Sequence, residues 1–249
     1  MRENLKYSGA SHVGHVRANN EDSYFLPDDT GSGYFYCALA DGMGGHNRGE
    51  LASSVAISYV HEKLKSSFGE GNEQQKSTED LLIETVQKAN VKVYLGSLEN
   101  EDSQGMGTTL TIVVLDSDTI WVAHVGDCRA YLYRDQSLKQ LTIDQTVVQE
   151  MLDAGSLTPE EINDHPRRNV LTQALGIPEF LQPQIISVPR QKHDKIMLCS
   201  DGLYGQVSDD EIKNIIKKVK EPSEACTQLI QLALDNGGED NVTVLVIST

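Results

Sequence analysis

Between Tyr34 and Ala40 the chain runs through Tyr-Phe-Tyr-Cys-Ala-Leu-Ala without a charge, then stops at Asp41-Gly42-Met43-Gly44-Gly45. An uncharged run of this kind reads as a buried strand. From Gly49 to Phe68 apolar residues return at Leu51, Val55, Ala56, Tyr59, Val60 and Leu64, the spacing of a helix. One carboxylate is therefore delivered from a buried strand into a glycine-rich turn ahead of a helix. Glycine lets backbone approach a neighbour closely and take positive φ without strain. A carboxylate beside bare carbonyls suits a hard divalent cation, which takes oxygen ligands. An Asp-Gly turn without a ligand accounts for the stretch equally well.

The rest of the chain supplies more strands and two helix pairs. Residues 7–15 read as an edge strand, Arg17-Ala-Asn-Asn-Glu21-Asp22 as a polar loop, and Ser23 to Pro27 as a short strand. After a polar stretch from Gly69 to Asp80, a second helix carries Leu82, Val86, Ala89 and Val93 on one face, with a cap in Ser77-Thr78-Glu79-Asp80. Residues 105–141 read as a β-meander broken at Gly126-Asp127. The segment from about 145 to 176 holds short helical pieces punctuated by Gly155, Pro159 and Pro166, the composition of a flap over a site. Strands return at 184–188 and 195–200, helices at 209–219 and 223–236, and a last strand at 242–247. Helix pairs separated by hairpin-linked strands predict an α+β fold with antiparallel sheet, in one domain covering 1–249.

Charge and cysteine usage exclude some functions. With 21 Lys and Arg against 37 Asp and Glu, the net charge is −16, which argues against nucleic-acid or anionic-membrane partners. Phosphate chemistry stays open, because bound metal ions invert a local field. Cys37, Cys128, Cys199 and Cys226 form no Cys-x-x-Cys pair and read as buried thiols rather than disulfides or zinc ligands. No apolar run approaches the ~18 residues of a membrane span, and Met1 to Lys6 has no signal-peptide core. The expected setting is cytoplasmic.

The acids share a setting. Asp41, Asp127 and Asp201 each follow an apolar strand, and Asp240 immediately precedes the last one, after Gly237-Gly238. Each alone reads as a turn residue. Converged, they would repel one another, and a divalent cation relieves that repulsion. All-oxygen ligation favours Mg²⁺ or Mn²⁺ over zinc. None of the seven histidines pairs as His-x-His or His-Glu-x-x-His. Arg17 can grip a phosphate bidentately, or pair on the surface with Glu21 or Asp22.

These residues together resemble the PPM family, the metal-dependent (type-2C) protein Ser/Thr phosphatases, of the bacterial single-domain type. The motifs are Arg17-x-x-Asn20-Glu21-Asp22, Ala40-Asp41-Gly42-Met43-Gly44-Gly45-His46, Gly105-Met106-Gly107-Thr108-Thr109, Val125-Gly126-Asp127-Cys128-Arg129, Cys199-Ser200-Asp201-Gly202 and Asp240-Asn241-Val242-Thr243. They span nearly the whole chain in the family's order.

The resemblance implies a four-layer αββα sandwich of two antiparallel sheets flanked by helix pairs, with a flap insert. It implies two Mg²⁺ or Mn²⁺ ions: Asp41 bridging them, the Gly42 carbonyl at the first, Asp201 and Asp240 at the second, and Glu21 acting through water. Asp22 and Asn241 would support these ligands from behind. A third, weaker metal would take Asp127 and Asp201, and Arg17 would bind the substrate phosphate. The implied reaction is hydrolysis of phosphoserine and phosphothreonine in proteins by a metal-activated water, without a covalent phospho-enzyme, so neither Cys128 nor Cys199 is a nucleophile. The implied partners are phosphoproteins, including a bacterial Ser/Thr kinase and its targets, met by a monomer. The alternatives are a partner-switching regulatory phosphatase, which would ordinarily carry sensor domains that 249 residues do not hold, or a catalytically silent binding module. Two departures stand out. Met43 occupies the place of the histidine that animal members carry, which leaves the proton donor open: a metal-bound water, on the third ion for instance, or another residue, with His46 and His165 as lesser candidates. Asp144-Gln145 replaces the Asp-His of many members.

Overall fold

The computed structural model describes residues 5–27, 33–44, 48–69, 76–162 and 165–249. Met1 to Asn4, Gly45, His46 and part of the polar stretch before the second helix lie outside the described residues. The first half of the chain forms β1 (Lys6–His12), β2 (Asp22–Phe25), β3 (Phe35–Met43), α1 (Gly49–Phe68), α2 (Thr78–Ser97), β4 (Gly107–Thr108), β5 (Leu110–Leu115) and β6 (Thr119–Val125). The second half forms β7 (Arg129–Arg134), β8 (Ser137–Gln140), α3 (Val147–Asp153), α4 (Pro159–Ile162), β9 (Gln184–Pro189), β10 (Lys195–Cys199), α5 (Asp201–Tyr204), α6 (Asp209–Lys218), α7 (Pro222–Asp235) and β11 (Val242–Ser248).

The strands make two antiparallel sheets. One has the order β1-β11-β10-β7-β8, the other β2-β3-β5-β6-β9 with β4 extending the pairing of β3. Alternation along the strands explains why the sheets stack. Phe35, Cys37 and Leu39 of β3 face the other sheet, where they meet Ala130, Leu132, Ile196, Leu198, Leu245 and Ile247. Tyr36, Ala38 and Ala40 face outward onto Ala52, Ala56, Val60 and Leu64 of α1 and Leu82, Val86, Ala89 and Val93 of α2. The outer face of the first sheet, with Met197, Cys199, Val244 and Val246, is covered by Ile212 and Ile216 of α6 and Cys226, Leu229 and Ala233 of α7. A strand buried on both faces has no polar position, which is why β3 reads as an unbroken apolar run. Burying one such side chain contributes about 1.5–3 kcal/mol. The result is the expected αββα sandwich.

Helix ends follow local chemistry. Ser77 accepts a hydrogen bond from the Asp80 N–H at the start of α2, and Ser208 and Glu211 form a reciprocal capping box on α6. The buried face of α1 is centred on Ala52, Ala56, Ile57, Val60 and Leu64. Leu51, Val55 and Tyr59, expected on that face, are only partly buried at its edge. All four cysteines are buried and free.

The stretch expected to be one β-meander is divided between the sheets. β5 and β6 pair in one sheet, whereas β7 pairs β8 and β10 in the other. The crossing is made by Gly126-Asp127-Cys128, with Gly126 at φ 102°. Local alternation cannot reveal a change of sheet, because both halves remain strand-like. The crossing sets Asp127 at the seam between the sheets.

Candidate active site

The layer between the sheets is apolar in its middle and turns polar at one end. The face of β3 that carries Phe35, Cys37 and Leu39 continues, two residues on, to Asp41. Asp22 is the register partner of Asp41 across β2 and β3. From the opposite sheet the same alternation leads past Ile196 and Leu198 to Ser200, and past Ile247 and Leu245 to Thr243. Ser200 Oγ donates to Asp22 Oδ2 at 2.8 Å and Thr243 Oγ1 at 2.6 Å. Asp22 thus pins the two sheets together at this end.

β3 does not turn at Asp41, as the glycines suggested. It runs on through Gly42 and Met43, which pair with Thr108 and Gly107 of β4, and positive φ begins at Gly44. The Asp41 N–H donates to Thr109 Oγ1 at 2.8 Å, and its carbonyl accepts from the Thr109 N–H at 2.9 Å. Gly42 is needed for close approach: a Cβ there would overlap the Gly49 carbonyl at the start of α1.

Glu21 is held by three elements. Its N–H donates to Asn241 Oδ1 at 2.7 Å, its carbonyl accepts from the Gly42 N–H at 3.0 Å, and Ser53 Oγ donates to that carbonyl at 2.6 Å. Its carboxylate takes a hydrogen bond from the Gly49 backbone at the N-terminus of α1, where the helix dipole favours an anion. Asn241 Nδ2 donates to the carbonyls of Val13 and Asn19 at 2.8 and 3.0 Å, bracketing the loop that carries Arg17. Arg17 pairs with Asp240 at 2.7 Å; the expected surface alternatives, Glu21 and Asp22, are not its partners.

Asp201 opens the four-residue helix α5, an element too short to show a period in sequence. Its carboxyl group lies within hydrogen-bonding reach of Asp41. Three residues on, Tyr204 Oη donates to the Asp127 carbonyl at 3.1 Å, and the Arg129 guanidinium stacks 3.6 Å from the Tyr204 ring centre.

These side chains line one pocket of about 230 Å³. Arg17, Glu21, Asp41, Gly42, Met43, Asp127, Asp201, Asp240 and Asn241 all reach it, with Thr109, Asn169 and Leu171. Asp22 lies behind Asp41. His165 does not line it, and His46 lies outside the described residues. Cys128 sits against Thr109 with its thiol pushed up by burial, poorly suited to nucleophilic attack.

The carboxylates strain against one another. Burial raises Asp22, Asp41, Asp127 and Asp201 above the ordinary carboxylate range, and neighbouring acids add to each shift. Glu21 is raised by burial and then by Glu50. Asp22 Oδ1 is buried and has no hydrogen-bond partner among the described residues. The acids ring the pocket rather than closing on one point: no three His, Cys, Asp or Glu side chains among the described residues form a finished ligand set. Clustered oxygen donors around one pocket and their mutual repulsion are what a hard divalent cation would relieve.

Several supporting residues carried no sequence signal of their own role: Thr109 behind Asp41, Ser200 and Thr243 on Asp22, and Asn169 and Leu171 on the pocket wall. The alternation of β10 extended one residue past its end would have found Ser200, and that of β11 at its start Thr243.

A family model described as protein phosphatase 2C matches residues 8–235. The serine/threonine protein phosphatase PstP of Mycobacterium tuberculosis is 39% identical over 245 residues, 97% of this chain. The chain spans only 44% of that relative's length. The serine/threonine phosphatase stp of Listeria monocytogenes is 35% identical over 234 residues, covering 94% of this chain and 92% of its own. The crystal structure of the PstP catalytic domain in complex with two manganese ions superposes with a TM-score of 0.85 at 36% identity, covering 98% of this chain and 97% of that one.

Proposed function

The chain belongs to the protein phosphatase 2C family, and from that premise we propose that it hydrolyses phosphoserine and phosphothreonine in proteins, using bound Mg²⁺ or Mn²⁺. The observation that carries this reading is the gathering of Glu21, Asp41, Asp201, Asp240 and Arg17 around one pocket at the polar end of the sandwich. Asp41 and the Gly42 carbonyl would hold the first ion, Asp41, Asp201 and Asp240 the second, and Asp127 with Asp201 a third, weaker one. Glu21 would reach its ion through water, with Asp22 and Asn241 fixing the ligands from behind. When bound, the ions supply Lewis acidity that activates water and offsets charge on the phosphoryl oxygens.

The chain's own residues do the rest. Arg17 extends a guanidinium into the pocket mouth, half-exposed and held by Asp240; its fork matches two phosphoryl oxygens. Met43 offers no proton, so the leaving oxygen is not protonated from that position.

The physiological substrates would be the targets of a Ser/Thr kinase, and the kinase itself. The two relatives named above are both described as serine/threonine phosphatases. The chain would act as a monomer. Four free, buried thiols fit the reducing cytoplasm. Among the described residues no helix is long and apolar enough to cross a membrane. The flap role of residues 145–176 rests on Asn169 and Leu171, which the segment contributes to the pocket wall.

The test is phosphate release from p-nitrophenyl phosphate and a phosphothreonine peptide, with Mn²⁺, with Mg²⁺ and with EDTA. Metal-dependent release that EDTA abolishes is expected. Silence in every metal, from folded protein, would overturn the reading in favour of a binding module.

A further inference from the structure

Beside the pocket lies a second cavity of about 600 Å³, which shares Asp127, Asn169, Asp201 and Asp240 with it. One wall is the segment after Gln145, through Thr146, Val148, Gln149 and Arg168; the facing wall comes from α5 and its following turn. A small phosphate ester would need only the first pocket. The residues flanking a phosphothreonine would extend into the second. The wall must therefore be held in register with the pocket, and the hydrogen bonds show what holds it.

Gln145 grips Gly126 twice: its N–H donates to the Gly126 carbonyl at 2.7 Å, and the Gly126 N–H donates to Gln145 Oε1 at 2.8 Å. Its carbonyl accepts from the Thr172 N–H at 2.8 Å, where the segment returns. Thr146 and Leu171 form a bridge just beyond, and the Val147 N–H donates to the Val170 carbonyl at 2.9 Å. On the other side of Asp127, the Arg129 guanidinium is held bidentately by Asp144, at 2.8 Å for its shortest contact. The dipeptide Asp144-Gln145 thus straddles the sheet crossing and closes both ends of the segment onto it.

We propose that Gln145 is a positioning residue for peptide specificity: its side chain sets residues 146–149 and 168–171 against the sheet crossing, and so sets the groove that takes the chain around the phosphorylated residue. The inference rests on the phosphatase reading for its substrate. Its structural half stands without it.

The decisive variant is Gln145→Met, which keeps length and the backbone bonds but loses the acceptor; Gln145→Glu keeps an acceptor for the Gly126 N–H. With Mn²⁺, Gln145→Met is expected to raise KM for a phosphothreonine peptide about five- to tenfold, the scale of one lost hydrogen bond. Its kcat/KM on p-nitrophenyl phosphate should stay within about twofold, and Gln145→Glu should restore peptide KM to within about threefold. Hydrogen–deuterium exchange across 146–171 should quicken in Gln145→Met, with the β-sheet amides unchanged. Equal losses on both substrates, unchanged peptide KM in an active enzyme, failure of Gln145→Glu to rescue, or unchanged exchange would each overturn the proposal. A wild-type protein silent on both substrates would sink the phosphatase reading and with it the substrate half, leaving the exchange experiment to decide the anchoring.

Discussion

Asp22 and Asp41 stand opposite each other in the register of β2 and β3, both on the face turned toward the second sheet. Like charges directly opposite on one face are destabilising, and here burial compounds the cost. Asp22 offsets part of it by accepting from Ser200 and Thr243. The remainder makes stability depend on protons and cations. A carboxyl whose pKa is higher folded than unfolded makes the native state the tighter proton binder, so its contribution is present at low pH and lost as pH rises. In EDTA, Tm should therefore fall from about pH 4, where unfolded carboxylates ionise, through about pH 7, the level to which burial lifts Asp22. Saturating Mn²⁺ should raise Tm and flatten that fall. Calorimetry across this range, with and without Mn²⁺, checks it; a flat curve in EDTA would count against the repulsion.

Removing one of these acids separates catalysis from folding. Asp41→Ala and Asp240→Ala should each lower phosphate release by roughly a thousandfold or more, the scale expected when a metal clamp is lost. Both should keep a native circular dichroism spectrum, and Asp41→Asn should melt higher than wild type in EDTA because the opposed charge is gone. Mn²⁺ should then stabilise Asp41→Asn far less than wild type. Normal turnover in either alanine variant would remove the acids from the metal assignment.

Arg17 is tied to Asp240 at 2.7 Å but half-exposed, and an exposed ion pair contributes little to stability. Arg17→Ala should lower Tm by no more than about 2–4 °C, consistent with ~0–1 kcal/mol for such a pair. KM for a phosphopeptide should rise about tenfold, because the guanidinium fork is the cation at the pocket mouth. Calorimetric Mn²⁺ affinity should stay within a fewfold. An unchanged KM would leave Arg17 as an ion-pair partner alone.

How much of this could be read from sequence depends on the range of the interaction. Strands buried on both faces and amphipathic helices are local signals, so α1, α6 and α7 were legible to within a residue or two, α2 by its buried face, and β3 up to Ala40, three residues short of its end. The acids were legible as a set because each ends or begins an apolar strand. What stayed hidden depends on which sheet a strand joins. Nothing local says that β6 and β7 part company at Gly126, or that Ser200 and Thr243 reach across to Asp22. Arg17 was read against its neighbours in sequence, Glu21 and Asp22, whereas its partner Asp240 arrives from the far end of the chain.

Asn241 shows how such long-range contacts reach the site, and it carries the last prediction. It is buried, with Oδ1 accepting from the Glu21 N–H and Nδ2 donating to the carbonyls of Val13 and Asn19. One side chain therefore ties the loop holding Arg17 and Glu21 to the strand that follows Asp240. Asn241→Ala removes all three bonds and strips a part-buried N–H and two carbonyls of their partner, at roughly 1–3 kcal/mol for each group left unsatisfied. Partial access of water to a loosened loop brings the expected cost to about 2–4 kcal/mol, read as a lower midpoint in urea. Asn241→Asp keeps the acceptor for Glu21 but loses both donors, and adds a charge beside Asp240. It should destabilise at least as much in EDTA and recover partly in Mn²⁺. In both variants KM for a phosphopeptide should rise along with the loss of stability, since Arg17 loses its fixed position. A destabilised Asn241→Ala with an unchanged KM would mean that Arg17 is placed by Asp240 alone.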